Sequence, residues 1–438
     1  MKENEIATIK YLAPLTHFAV YEHKIIKEAN ELSTYRAIVL KAPDGYVLDF
    51  SGLEVFATTY TGDPPTADFR SRQELTYICH ALNYIFSHYH IRKITEITVD
   101  MLIEFLRDYA QTPKIAGTQL FRSKQSVEKC LWYVCNFFAN LSVVFPMKLC
   151  AEDVLRPEFS KRNPKSLRVD QIYVPRLPVK AKTGHRIPQL RDIPEEAAWR
   201  LVELARIHDP MIAFALVCQI LAGLRAGEVM NLRQADSPLS NTPGIKIKKI
   251  GTATSGIELD LLHEYLLRSD YVSVGRIKKE RTVNVYKPFI EQFMACYNYH
   301  MEILKDYPNI ETEYKPMFVN SRGKAMTYAN YLDRVKKLVY TYLKPEMMRS
   351  SNLHCVSFAQ KLESHPFGPH ALRHLFTCKL LMEGLSRDDL MYFRGDNSPT
   401  SADVYLQNKD ALLDPLHAMH AQALDALNKI GRQQYGSR

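Results

Sequence analysis

Residues 370–405 read HALRHLFTCKLLMEGLSRDDLMYFRGDNSPTSADVY, and the chain's reactive side chains concentrate there. His370 and Arg373 stand three apart, so one helical face carries both. The apolar residues Leu375, Phe376, Leu380 and Leu381 follow, then Gly384, a natural helix C-cap. A second short helical run, Arg387 to Phe393, reaches Gly395. A polar turn through Asp396, Asn397, Ser398 and Pro399 then leads to Tyr405. An imidazole, a guanidinium and a phenol are thus delivered by helices and a turn, with no metal-ligand spacing among them.

That set suits phosphoryl transfer without a metal. A phenol with a pKa of about 10 is a weak nucleophile near neutrality and needs cationic neighbours. Arginine matches non-bridging phosphate oxygens with a planar fork and keeps its charge as the transition state forms. Histidine carries a proton near pH 7. A second arginine lies upstream in AFALVCQILAGLRAGEVMNLRQAD, where an apolar helix ends at Gly223 and a new one starts at Ala226. Arg225 sits at that break, beside a helix N-terminus whose N–H groups favour anions.

GLRAGEVMNL, then HALRH, then a downstream tyrosine resembles the tyrosine recombinase (phage integrase) family. That family carries an Arg in a GLRxxE-type motif, a HxLRH motif and a nucleophilic Tyr about thirty residues later. The likeness runs from about Ile193 to Gln407, with PMFVNSRGKAMT (316–327) between the motifs. Taken singly, an HxxR pair is ordinarily a surface pair, and this chain has 25 tyrosines. Three motifs in family order reverse that reading. The resemblance implies Tyr405 as nucleophile, Arg225 and Arg373 as the phosphate clamp, and His370 as the group handling the tyrosine proton. It implies no cofactor, metal or ATP.

The same likeness exposes two departures. The family's GKGxKER turn holds a lysine that protonates the leaving 5′-oxygen; here the run is GRIKKER, and that position is Arg276. Arginine is a poor proton donor. Lys278 or Lys279 is left to supply the ammonium, with Lys278 preferred. Where the family has a His or Trp after a glycine, nine residues before the tyrosine, this chain has Asp396. A carboxylate about 4 Å from a phosphate charge costs about 4 kcal/mol at an effective dielectric near 20. Asp396 is therefore expected to pair with an arginine such as Arg394, or to cap the following turn.

The chain of 438 residues has room for two or three domains, and 46% hydrophobic with 24% charged residues argues against disorder. No run approaches a membrane span, and the start is no signal peptide. The eight cysteines form no C-x-x-C pair and read as buried free thiols of a reducing cytoplasm. The net charge is +9, yet residues 1–65 hold six Lys/Arg against nine Asp/Glu. A basic excess outside an acidic N-terminal piece fits a polyanion partner.

In chain order, residues 1–65 form an extension whose segments Ala37–Leu40 and Tyr46–Phe50 flank the turn Lys-Ala-Pro-Asp-Gly, a β-hairpin. Residues 66–150 are helical. A capping box Ser71–Glu74 precedes Leu75, Ile78, Leu82 and Ile85; Thr98 opens a second helix and Ser123 or Ser126 a third. This piece resembles the family's core DNA-binding domain, with Arg70, Arg72, Arg122 and Lys124 as candidate DNA contacts. Residues 151–190, with five prolines and nine Lys/Arg against four Asp/Glu, read as a basic linker. Its Arg176, Lys180 and Lys182 suit a strap over a phosphate backbone, and Arg276 and Lys279 are further candidates for DNA contact.

Residues 191–410 are the catalytic domain of the resemblance. Strands are expected at Gly244–Ile250, Tyr271–Gly275 and Arg281–Tyr286. Residues 411–438 are an amphipathic helix, with Leu413, Leu416, Leu424, Leu427 and Ile430 on one face. The fold class expected is mainly α with a small antiparallel sheet (α+β). The implied partners are double-stranded DNA, further copies of the chain as a dimer or tetramer on that DNA, and accessory DNA-bending proteins, with no membrane. The implied place is a bacterial cytoplasm, at the nucleoid. The competing reading is a DNA-binding protein of the same fold with weak or lost catalysis.

Overall fold

The computed structural model describes residues 16–27, 30–62, 72–113, 121–160, 170–180, 192–239, 242–307 and 313–395. The chain divides into two compact units near residue 186, and the short stretch Ile26–Leu32 goes with the second. The architecture is α+β, with helices throughout and small sheets. Among the described residues, no helix is long and apolar enough to cross a membrane.

The first unit opens on a three-stranded sheet ordered β1 (His17–Ile26), β2 (Leu32–Lys41) and β3 (Val47–Phe50). β2 and β3 form an antiparallel hairpin, turning where the N–H of Gly45, at φ +90°, donates to Ala42 O. Helix α1 (Arg72–Tyr89) buries Leu75, Ile78, Leu82 and Ile85, the stripe expected at helical spacing. α2 (Val99–Gln111) is capped by Thr98, and α3 (Lys124–Val144) by Ser123, whose side chain accepts from Ser126 N at 3.1 Å. α3 is the spine of this unit. Its buried Asn140 donates to Phe56 O (3.1 Å) and Thr58 O (2.8 Å), and Asn136 accepts from Tyr60 N (2.7 Å). Those bonds satisfy the backbone of an otherwise irregular segment. Ser71 lies outside the described residues.

The stretch 151–190 departs from a plain linker. It holds an antiparallel ribbon of β4 (Leu155–Ser160) and β5 (Asp170–Pro175), with Pro157 opposite Tyr173 and Pro175 opposite Leu155. A two-stranded ribbon is all edge, so it tolerates prolines that a central strand would not.

The second unit is built around α5 (Pro210–Leu221), in which every residue from Met211 to Leu221 is buried. A helix apolar on all sides belongs inside. Around it pack α4 (Glu195–His208), α7 (Ile290–Lys305) and α10 (His370–Met382). α8 (Tyr328–Lys337) runs on into a π-helical stretch, Leu338–Leu343, and α9 (Leu353–Lys361) follows. The sheet is antiparallel, ordered β6 (Ile245–Ile250), β7 (Ala253–Leu261) and β8 (Arg281–Asn284).

Two expectations for this sheet need correction. Ala253–Leu261 is a strand that the sequence pattern did not suggest. Tyr271–Gly275 is not one: Tyr271 has φ +59°, and Arg268 grips Asp270 through Nε (2.8 Å) and Nη2 (2.6 Å) just before it. Arg268 also donates to Ala325 O at 2.8 Å, and Lys324 lies 3.2 Å from Asp270. The result is a pinned, irregular excursion of residues 262–280 between β7 and β8.

Candidate active site

α5 ends at Ala222, and Gly223, at φ +63°, reverses the chain. A Cβ there would run into the ring of Phe376 on α10, so only glycine lets the two segments touch. Leu224 and Arg225 follow, then the single turn α6 (Ala226–Val229). The N–H of Arg225 is not left for an anion, as the sequence suggested. It donates to Glu228 Oε2 at 3.0 Å, while Arg225 Nη1 donates to Glu228 Oε1 at 2.8 Å.

Glu228 is fully buried and held by a second arginine. Arg281, at the start of β8, donates from Nη1 to Oε1 and from Nη2 to Oε2, both at 3.0 Å. Burial alone pushes the Glu228 carboxyl up. The bonds and charge of Arg281, then the charge of Arg225, outweigh it and bring the pKa down to about 2. Both oxygens of one carboxylate thus orient two guanidiniums, and the Arg225 side chain remains about a quarter exposed. Neither Glu228 nor Arg281 was singled out from sequence. The signals were present: Glu228 stands three residues after Arg225, and Arg281 closes the GRIKKER run.

α10 brings in the other pair. Arg373 is 1% exposed; it donates from Nη1 to Gly223 O and from Nη2 to Arg394 O at 2.8 Å. It therefore ties the end of α5 to the end of α11 (Arg387–Arg394). Arg394, also buried, donates to Thr377 Oγ1 at 2.7 Å, and Thr377 donates back to Arg373 O at 3.1 Å. The two arginines expected to form the clamp differ in exposure, Arg225 being about a quarter exposed and Arg373 enclosed.

His370 begins α10 and is exposed at the surface. Desolvation of its ring, then the charges of Arg373, Arg394, Arg225 and His374, lower its pKa to about 4. It is a neutral imidazole at pH 7, because that desolvation and the surrounding cations disfavour its protonated form.

The basic turn lies beside Arg225. Gly275 and Gly227 approach so closely that a Cβ on Gly275 would meet Gly227 O at 2.6 Å. A Cβ on Gly227 would meet Arg276 O at 3.0 Å. Arg276 and Lys278 are exposed, Ile277 between them is buried, and the Lys279 carbonyl accepts from Arg281 Nη1 at 3.0 Å.

Other expected residues lie elsewhere. Tyr405, Asp396, Lys182, Arg70 and residues 411–438 fall outside the described residues. Arg72 opens α1. Lys124 is exposed and 3.8 Å from Glu128, Arg176 donates to Glu152 O at 2.8 Å, and Lys180 is exposed. Arg122 is occupied, donating to Tyr109 O (3.1 Å) and Thr112 O (3.0 Å) with its guanidinium over the Tyr109 ring. Tyr392, on α11, is exposed, and its hydroxyl accepts from Asn284 Nδ2 at 2.6 Å.

Over 135 residues the chain is 30% identical to the tyrosine recombinase XerC of Thermodesulfovibrio yellowstonii. This chain resembles the tyrosine recombinases. The match takes in 30% of this chain, which spans little more than a third (37%) of that relative's length. No family profile matches. Among solved structures, the XerH site-specific recombinase bound to its difH substrate overlaps 76% of each chain at 15% identity, TM-score 0.44. The Tn1549 transposon integrase with circular-intermediate DNA overlaps 77% of this chain and 90% of its own at 15% identity, TM-score 0.44. A lambda integrase dimer on a core site overlaps 77% and 72% at 12% identity, TM-score 0.39.

Proposed function

We propose that this chain is a site-specific DNA recombinase that cuts and rejoins strands through a 3′-phosphotyrosyl bond on Tyr405, in the integration or excision of a mobile element. The observation that carries this reading is the gathering of Arg225, Arg373 and His370 at one place, from segments about 150 residues apart. The similarity to XerC supports it.

Tyr405 Oη attacks phosphorus, and the bond from phosphorus to the 5′-oxygen breaks. The tyrosine proton passes to neutral His370. Arg225, held by Glu228, faces the charge that builds on the non-bridging oxygens. The leaving oxygen takes a proton from Lys278, with Lys279 and Arg276 as DNA contacts beside it. The covalent ester conserves the phosphodiester's energy, so a partner strand's 5′-hydroxyl reverses the step without ATP. Arg72, Lys124, Arg176, Lys180 and Lys182 are assigned to DNA backbone contacts, and the working unit on DNA is a homo-oligomer.

The test is covalent trapping on a nicked duplex bearing the sequence the protein selects from a random-sequence pool. A protein–DNA adduct that disappears in Tyr405→Phe, with affinity kept within a few fold, is expected. An adduct surviving in that variant moves the nucleophile, to Tyr392 first. The enclosed Arg373 and the arginine at position 276 favour a second reading, a DNA-binding protein of this fold without efficient catalysis. Binding with no adduct in the wild-type protein would establish it.

A further inference from the structure

The segment Ile26–Leu32 belongs by its contacts to the second unit. Asn30 takes φ +60°, and the next residues pair with the chain just past β7. Leu32 N donates to Glu264 O at 2.7 Å, Leu266 N donates to Asn30 O at 3.1 Å, and Glu31 bridges Tyr265 in antiparallel fashion. The Glu31 carboxylate lies 3.6 Å from His263 Nδ1. Three residues from the N-terminal extension thereby form an isolated β-bridge with the excursion that leads into the basic turn.

Glu264 is the centre of this pairing and looks both ways. Its carbonyl is held by Leu32, while its side-chain Oε1 accepts the N–H of Ile277 at 2.5 Å. Ile277 is the buried residue between exposed Arg276 and Lys278, so the bond holds the turn at its midpoint. The incoming side is anchored separately: Tyr328 N donates to Val274 O at 2.5 Å, and Gly275 presses on Gly227. The outgoing side is anchored by Arg281 on the Lys279 carbonyl. Without Glu264, the stretch carrying Arg276 and Lys278 loses its middle support. A proton donor must lie within hydrogen-bond reach of its acceptor, so a shift of about an ångström there is costly.

We propose that Glu264 is a positioning residue for the leaving-group cation, and that Asn30–Leu32 hold Glu264 in place, making this N-terminal segment part of the catalytic centre. The proposal rests on the function assigned above.

The wild-type protein is first offered the self-selected nicked duplex; no adduct would overturn the assigned function and this inference with it. Given an adduct, Glu264→Ala is expected to cleave the 5′-oxygen duplex about tenfold or more slowly, part of the roughly 10²–10⁴-fold that a placed proton donor supplies. It is expected to match wild type on the same duplex with a 5′-bridging sulfur, whose thiolate leaves unprotonated. The Ile277 amide should lose its protection from hydrogen exchange. Glu264→Gln keeps an acceptor oxygen and should restore wild-type rates and protection. Leu32→Pro, which removes the N–H donated to the Glu264 carbonyl, should show the sulfur-rescued defect in milder form. Wild-type speed of Glu264→Ala on the oxygen duplex overturns the proposal. So does an equal loss on both duplexes, the mark of a merely structural role.

Discussion

At the scale of single residues, the site is governed by charges that are neutralised or left facing each other. His370 is surrounded by cations and sits at a pKa of about 4, below the ordinary value near 6.5. A histidine with a depressed native pKa binds protons more readily unfolded. Its contribution therefore costs stability as pH falls through about 6.5 and is fully felt below about 4. NMR titration should find the DNA-free ring neutral down to about pH 5. Arg373→Ala should raise its pKa, because one repelling charge is gone. Glu228 has the opposite sign. Its ionised form stabilises the fold above the unfolded pKa of about 4.3, and this is lost as pH falls toward about 2. Glu228→Ala leaves two arginines facing each other in a buried place, and removing one partner of such a set costs about 3–5 kcal/mol. Denaturant unfolding should register that loss, while Arg225→Ala, a partly exposed change, should unfold far less readily and instead slow cleavage by about 10²-fold or more.

At the scale of elements, close backbone approach sets the geometry. Gly275→Ala places a methyl against Gly227 O, so either the basic turn or α6 must move. We expect Gly275→Ala to fold with reduced stability and to cleave poorly while still binding DNA, which gel-shift and trapping assays on one duplex would separate. Helix ends were legible in the sequence because their signals are local. Ser123 and Thr98 cap α3 and α2, and Gly384 and Gly395 stop α10 and α11 at φ +78° and +64°. The Tyr271–Gly275 segment misled because its β-forming residues are overruled by the Arg268–Asp270 grip upstream. Glu228 and Arg281 were passed over for a related reason. Their pairing spans 53 residues, and nothing in either local pattern announces it. The motif arginines and His370 were legible only as an ordered set, and the enclosure of Arg373 by Gly223 and Arg394 was not legible at all.

At the scale of the whole molecule, the proposed DNA contacts draw on the basic excess outside the acidic N-terminal piece. Affinity should fall with salt by about 0.9 log units per log unit for each phosphate neutralised. Replacing Arg176, Lys180 and Lys182 together should flatten that slope and leave the preferred sequence unchanged. A changed preference with an unchanged slope would show that this stretch reads bases.

The carboxylate shared by Arg225 and Arg281 also bears on the order in which the protein matures. A turn that buries an ionised Glu228 with Arg225 as sole partner is unstable, so it waits for β8 to be made and to dock. Arg373, 150 residues beyond Gly223, closes the same assembly later still. Ring closures of that length are slow to form. In a chain emerging from the ribosome, the contacts of Glu228 and Arg373 are therefore complete only once β8 and α11 have been made. If the function proposed above is right, DNA affinity should return before strand cleavage in refolding from denaturant, because the first unit needs no contact as long-ranged as that of Arg373 with Gly223.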